Sequence, residues 1–142
     1  MQAREIQLER RYRKAPKVLC QPGEIQQVVT NLIGNALDAL PRHGRLVVAV
    51  REASDRSGRA GVELTVADNG TGMDRHMLDR LFHPFVTTKG EEGTGLGLWV
   101  SKGILEKHHS AIRVRSRAGR GTVFRIFLPI DTTVGESQQL LH

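Results

Sequence analysis

The chain has 142 residues, 39% of them hydrophobic, which suits one domain that buries a core without disulfide or metal staples. Its one cysteine, Cys20, excludes an internal disulfide and a paired-cysteine metal or redox site, and reads as ordinary packing. The formal charge of +6 invites a nucleic-acid partner, but aromatic residues make up only 4% of the chain, too few for base-stacking platforms among the basic side chains, so no nucleic acid is expected.

Residues 1–17 carry Arg4, Arg10, Arg11, Arg13, Lys14 and Lys17 against Glu5 and Glu9, so four of the six net positive charges lie there. This segment reads as a basic leader that docks onto another domain. Met1 leads into charged residues without the apolar core of a signal peptide. Apolar runs such as 46–50 are far shorter than the ~20 residues of a membrane span, so the chain reads as soluble and cytoplasmic. After Pro22 and Gly23, the residues Ile25, Val28, Val29, Leu32, Ile33, Ala36, Leu37 and Leu40 keep the three-and-four spacing of one buried helical face, until Pro41 and Gly44 end it. Strands are expected over 46–51 and 62–67, joined through the polar stretch 53–61 as a hairpin. A short helix over 74–82 follows, then a loop over 90–97, a helix over 98–107, and strands over 112–116 and 122–128. Arg113, Arg115, Arg117, Arg120 and Arg125 alternate as they would on a solvated sheet face. Residues 18–130 thus read as one domain and 131–142 as a polar, frayed tail.

Three constellations carry possible chemistry. On the first helix, Asn31, Asn35 and Asp38 are four and three residues apart, which puts them on one stripe beside the apolar face. Two asparagines there are costly unless something hydrogen-bonds them. Either nearby backbone satisfies them, or they line a ligand site, where an amide oxygen suits Mg²⁺. Asp68-Asn69-Gly70-Thr71-Gly72-Met73 follows a strand, and reads either as a plain turn or as an exposed acceptor. In the second case Asp68 would take a hydrogen bond from an adenine amino group, and Gly70 and Gly72 would let the backbone approach the base. Gly93-Thr94-Gly95-Leu96-Gly97-Leu98 precedes a helix and follows Thr87-Thr88-Lys89. Glycines before a helix start let backbone N–H groups converge on a phosphate, to which the helix N-terminus adds about half a positive charge. The run lacks the Gly-Lys-Ser/Thr of the Walker pattern, and an unliganded flexible loop is its other reading. Gly119-Arg120-Gly121-Thr122 reads as a hairpin turn when taken alone.

Together, and in this order, these motifs resemble the Bergerat-fold nucleotide-binding family of histidine kinases, type II topoisomerases, MutL-type repair proteins and a class of chaperone ATPases. The resemblance spans residues 18–129. Residues 26–40 resemble its asparagine box, 68–73 its first glycine box, Leu81-Phe82-His83-Pro84-Phe85 its phenylalanine box, 93–98 its second glycine box and 119–124 its closing strand. The fold it implies is α+β, a two-layer sandwich in which helices cover one face of a mixed, mostly antiparallel sheet. ATP would lie in the helical layer under a lid at about 86–93.

Hydrolysing members of this family carry a glutamate base four residues before the magnesium asparagine, and here that position is Asn31. An amide cannot take a proton at neutral pH, whereas a neutral imidazole acceptor needs no base, so the sensor histidine kinase branch is the expected one. The resemblance implies Asn35 as the Mg²⁺ ligand, Asn31 beside the phosphates, Asp68 on adenine N6 and Thr122 supporting it through water. Lys89 and the backbone of Thr94, Gly95, Leu96 and Gly97 would face the phosphates, with Met73, Leu98 and Phe124 as pocket walls. Asp38 stands where many kinases have a basic residue, a charge that Lys89 would restore, and Thr87-Thr88-Lys89 resembles the nitrogen-regulation and dicarboxylate-sensing branch. His109-Ser110 replaces the usual Gly-Gly, so that turn is expected to differ. None of His43, His76, His83, His108, His109 and His142 stands in a phosphoacceptor context. The implied partners are therefore a dimerisation and histidine phosphotransfer domain of the parent protein and, through its histidine, a response regulator. The isolated domain is expected to be a monomer. A regulatory nucleotide-binding module and a hydrolysing ATPase are the alternative readings.

Overall fold

The structure, a computed structural model, describes residues 6–12, 18–20, 22–41, 43–83, 97–130 and 139–141. In chain order the elements are β1 (Gln7–Tyr12), β2 (Val18–Cys20), α1 (Pro22–Ala39), β3 (Arg45–Ser54), β4 (Ala60–Asp68), α2 (Arg75–Arg80), α3 (Gly97–Lys107), β5 (Ala111–Arg117), β6 (Gly121–Pro129) and β7 (Gln139–Leu141). Five strands form one sheet in the order β1-β3-β4-β6-β5; β1 runs parallel to β3, and every other pair is antiparallel.

The expected α+β architecture is present, and its cause is periodicity. Helix α1 buries Ile25, Val28, Leu32 and Ala36 on one stripe, with Leu40 just beyond its end. Strands β3, β4 and β6 bury every second residue: Leu46 and Val48, then Val62, Leu64 and Val66, then Phe124, Ile126 and Leu128. Leu105 of α3 joins the same core. Each of the buried Val, Leu, Ile and Phe side chains contributes about 1.5–3 kcal/mol when withdrawn from water. On the opposite sheet face Arg113, Arg115, Arg117 and Arg125 are exposed, as their alternation predicts.

Two pairings differ from the sequence reading. No strand is predicted before residue 18, yet β1 pairs with β3 from Gln7↔Arg45 to Tyr12↔Val50. It is an edge strand exposed along most of its length, so no apolar alternation marks it. Part of the tail expected to fray is also paired, since β7 lies antiparallel to β2. The Cys20 side chain and Arg4, Arg13, Lys14 and Lys17 lie outside the described residues.

The turn after α3 keeps a regular form despite His109-Ser110. Ser110 N–H donates to Leu105 O at 2.8 Å and His109 N–H to Glu106 O at 3.1 Å, the paired bonds of a Schellman cap. His109 takes the left-handed conformation, φ 57°, that glycine adopts at lower cost.

Candidate functional site

Helices α1 and α3 lie side by side and run in opposite directions. The start of α3 is tied to Asn31, whose Nδ2 donates to Gly97 O and to Ser101 Oγ, each at 3.0 Å. Its far end is tied to the start of α1, where Lys107 Nζ meets Glu24 Oε1 at 2.8 Å. The N-terminus of α3, with its partial positive charge, is therefore carried to the middle of α1. Asn31 is nearly saturated there. Its Oδ1 accepts from Gln27 Nε2 at 3.2 Å, while the fully buried Ser101 donates from Oγ to Gly97 O at 2.8 Å. Asn31 is thus hydrogen-bonded on both sides of its amide, by Gln27 of its own helix and by Gly97 and Ser101 of α3.

The Asp68 loop is held at the other end of the same stripe. Thr71 N–H donates to Ala39 O at 3.2 Å, and Asn69 Oδ1 accepts from Arg45 N at 2.7 Å. A Cβ on Gly70 would fall 2.4 Å from Ala39 O, and one on Gly72, at φ +67°, would fall 2.0 Å from Arg117 O. In this structure these glycines permit a close approach to protein backbone, a demand that accounts for them before any base is considered.

Residues 31, 35 and 39 of α1 are successive positions on one helical stripe, about 6 Å apart. The first touches the start of α3 and the last touches the glycine loop. Asn35, between them, is half-buried, and its amide has no hydrogen-bond partner among the described residues. Asp38 is exposed. No group of three or more His, Cys, Asp or Glu side chains that could hold a metal is found among the described residues; an amide oxygen without a partner among them suits a cation that takes one protein oxygen and completes its shell from phosphate and water.

At the end of the sheet a polar row crosses three strands on the helix-facing side: Ser116 of β5 pairs with Thr122 of β6, which pairs with Asp68 of β4. Burial raises the Asp68 pKa above its ordinary value, and hydrogen bonds from the N–H groups of Gly70 and Thr122 oppose that shift in part. The Gly70 bond is 2.8 Å. Such a carboxylate is held in place, disfavours charge and can accept from a ligand donor. Met73 and Leu98 pack partly buried against the core, and Phe124 belongs to it. Lys89, Gly93, Thr94, Gly95 and Leu96 lie outside the described residues. An open groove of about 750 Å³ runs elsewhere, past Glu24, Phe82, Trp99, Ile104 and Lys107; none of Asn31, Asn35, Asp68 and Thr122 lines it, so the chemistry just described has no part in it.

Gln27, Ser101 and Ser116 were not singled out from the sequence. Gln27 stands four residues before Asn31 and Ser101 four after Gly97, spacings that mark same-face helical neighbours. Ser116 has no such signal, because only strand register brings it to Thr122.

Residues 20–132 match the family model described as histidine kinase-, DNA gyrase B-, and HSP90-like ATPase. The chain is 39% identical over 137 residues to sensor histidine kinase ZraS of Escherichia coli K12, covering 96% of this chain and 28% of the relative. It is 43% identical over 121 residues to sporulation kinase E of Bacillus subtilis, covering 85% of this chain and 16% of that one. It thus spans well under a third of the length of these relatives. Among solved structures, a mycobacterial sensor histidine kinase, MprB, matches with TM-score 0.74 at 27% identity, covering 91% of this chain and 85% of that one. Full-length ShkA in complex with AMPPNP matches with TM-score 0.73 at 26% identity, covering 92% of this chain and 27% of that one.

Proposed function

Since the chain belongs to the family of histidine kinase-, DNA gyrase B-, and HSP90-like ATPases, we propose that it binds Mg-ATP and donates the γ-phosphoryl group to a histidine on another domain of a sensor kinase. The observation that carries this is the position of Asn35, whose amide has no partner among the described residues, between the N-terminus of α3 and the loop that presents Asp68. Asp68 accepts from the adenine amino group, with Thr122 beside it. The start of α3 at Gly97 directs its positive end to the phosphates, joined by Lys89 and the backbone of residues 94–97. Asn35 supplies the protein oxygen for Mg²⁺, which when bound neutralises charge on the phosphates. Asn31 holds Gly97 in place, and as an amide it does not deprotonate water, which suits transfer to an imidazole better than hydrolysis. The receiving histidine belongs to a dimerisation domain of the parent, from which a response regulator is phosphorylated. Residues 18–130 form the catalytic domain, and the basic segment 1–17 leads to the rest of the parent while lending its strand β1 to the edge of the domain's sheet. No described helix is long and apolar enough to cross a membrane.

Calorimetric titration with Mg-ATP tests this: micromolar-range binding is expected, and Asp68→Asn should abolish it. Unchanged affinity in that variant would refute the pocket. Rapid multiple-turnover hydrolysis by the fragment would place it with the hydrolysing members instead.

A further inference from the structure

Ser116 lies outside every motif discussed so far, yet its hydroxyl joins three parts of the site. Its Oγ accepts from Met73 N–H at 2.7 Å, donates to Gly121 O at 3.0 Å and stands 2.8 Å from Thr122 Oγ1. A serine hydroxyl has one proton and two lone pairs. With the proton on Gly121 O and one lone pair taken by Met73, the remaining lone pair faces Thr122. Thr122 must then be the donor in that contact, which uses the only proton its own hydroxyl has. What Thr122 Oγ1 retains for a neighbour is lone pairs alone. Asp68, its cross-strand partner, presents carboxylate oxygens.

We propose that Ser116 is a specificity-determining positioning residue: by taking the Thr122 proton it keeps the Asp68–Thr122 end of the site acceptor-only, which selects a purine with an amino group at position 6 over one with a carbonyl there. This rests on the assignment of Asp68 to the base. A 6-oxo purine would set its oxygen against two acceptors with no proton between them, and leaving such polar groups unmatched is how a site rejects an analogue of the same shape. Without the Ser116 hydroxyl, Thr122 could rotate its proton toward that oxygen. The left-handed Gly121, at φ +121°, keeps the arrangement compact, since a Cβ there would fall 2.1 Å from Asp68 O.

The experiment compares Mg-ATP with Mg-inosine triphosphate, which differs at position 6 and the adjoining ring nitrogen, in calorimetric titrations of the whole chain. Wild type should prefer ATP. Ser116→Ala should narrow that preference about tenfold, the size of one neutral hydrogen bond, and Ser116→Thr, which keeps the hydroxyl, should restore it. A merely structural role would weaken both nucleotides together and leave the ratio unchanged, and that result would overturn the proposal. Thr122→Val gives an independent reading should Ser116→Ala fold poorly: it should lower affinity for ATP and spare that for inosine triphosphate, whereas equal losses would count against the polarity assigned to Thr122. If wild type binds neither nucleotide, the base-binding role of Asp68 fails, and this inference fails with it.

Discussion

Alanine at position 72 would put a methyl group 2.0 Å from the carbonyl oxygen of Arg117, on a backbone with φ +67°. Gly119 offers an internal control. Its φ is +81°, but a Cβ there would meet nothing within 4 Å, so Gly119→Ala isolates the conformational cost, about 1 kcal/mol. Gly72→Ala carries that cost and a collision besides. Real Cβ contacts essentially never fall below 3.0 Å, so the two chain segments must separate by about 1 Å or more. That separation strains the bonds between them, Gly119 N–H to Thr71 O and Met73 N–H to Ser116 Oγ, both 2.7 Å. Two weakened hydrogen bonds at ~1 kcal/mol each and overpacking of at least ~1 kcal/mol, added to the conformational cost of ~1 kcal/mol, bring Gly72→Ala to about 4 kcal/mol or more, at least roughly 3 beyond the control. A domain with an ordinary stability of about 5–15 kcal/mol remains folded after such a loss. Urea denaturation of both variants measures the difference, and titration with Mg-ATP should show weakened binding in Gly72→Ala alone. Two variants of equal stability to within about 1 kcal/mol would refute the reasoning, because the close approach would then cost nothing.

Asn31 and Asn35 should separate structure from function. Asn31→Ala removes the bonds to Gly97 O and Ser101 Oγ and should cost about 2 kcal/mol in denaturant. Asn35→Ala should change stability by less than about 0.5 kcal/mol while removing the gain in ATP affinity that Mg²⁺ gives over ATP with chelator; a large loss of stability would show that the protein itself holds the Asn35 amide. The raised pKa of Asp68 means that its ionised form is disfavoured in the folded chain. Its contribution to stability is full below the ordinary aspartate value of about 3.9 and is lost as pH rises through the folded value. Asp68→Asn should therefore gain on wild type in melting temperature at pH 7, and the gain should shrink toward pH 3.5; a pH-independent difference would sink this. His109→Gly should relieve the left-handed strain and raise stability by about 1 kcal/mol, seen as a rise of a few degrees in melting temperature, and a fall would show that the histidine side chain contributes more than its backbone costs.

Much of the fold was legible because each element must bury one face. The stripe from Ile25 to Leu40 marked α1, and alternation marked β3, β4 and β6, with boundaries within a few residues of those observed. β1 left no such trace, since an edge strand exposed on both faces has no apolar period to display. The Asp68 loop and the helix start at Gly97 were found by motif, because glycine and an exposed carboxylate at an element end are local signals. The division of labour between Asn31 and Asn35 was not local. On sequence spacing the two are equivalent, one helical turn apart on one stripe. What separates them is that Gly97 and Ser101, 66 and 70 residues further along, arrive beside the first and not the second. In the same way Ser116 reaches Thr122 only through strand register. Periodicity and turn chemistry are properties of neighbouring residues and can be read along the chain. Which polar atom finds a protein partner depends on groups that only the packing of α3 on α1 and of β5 on β6 brings within hydrogen-bond distance.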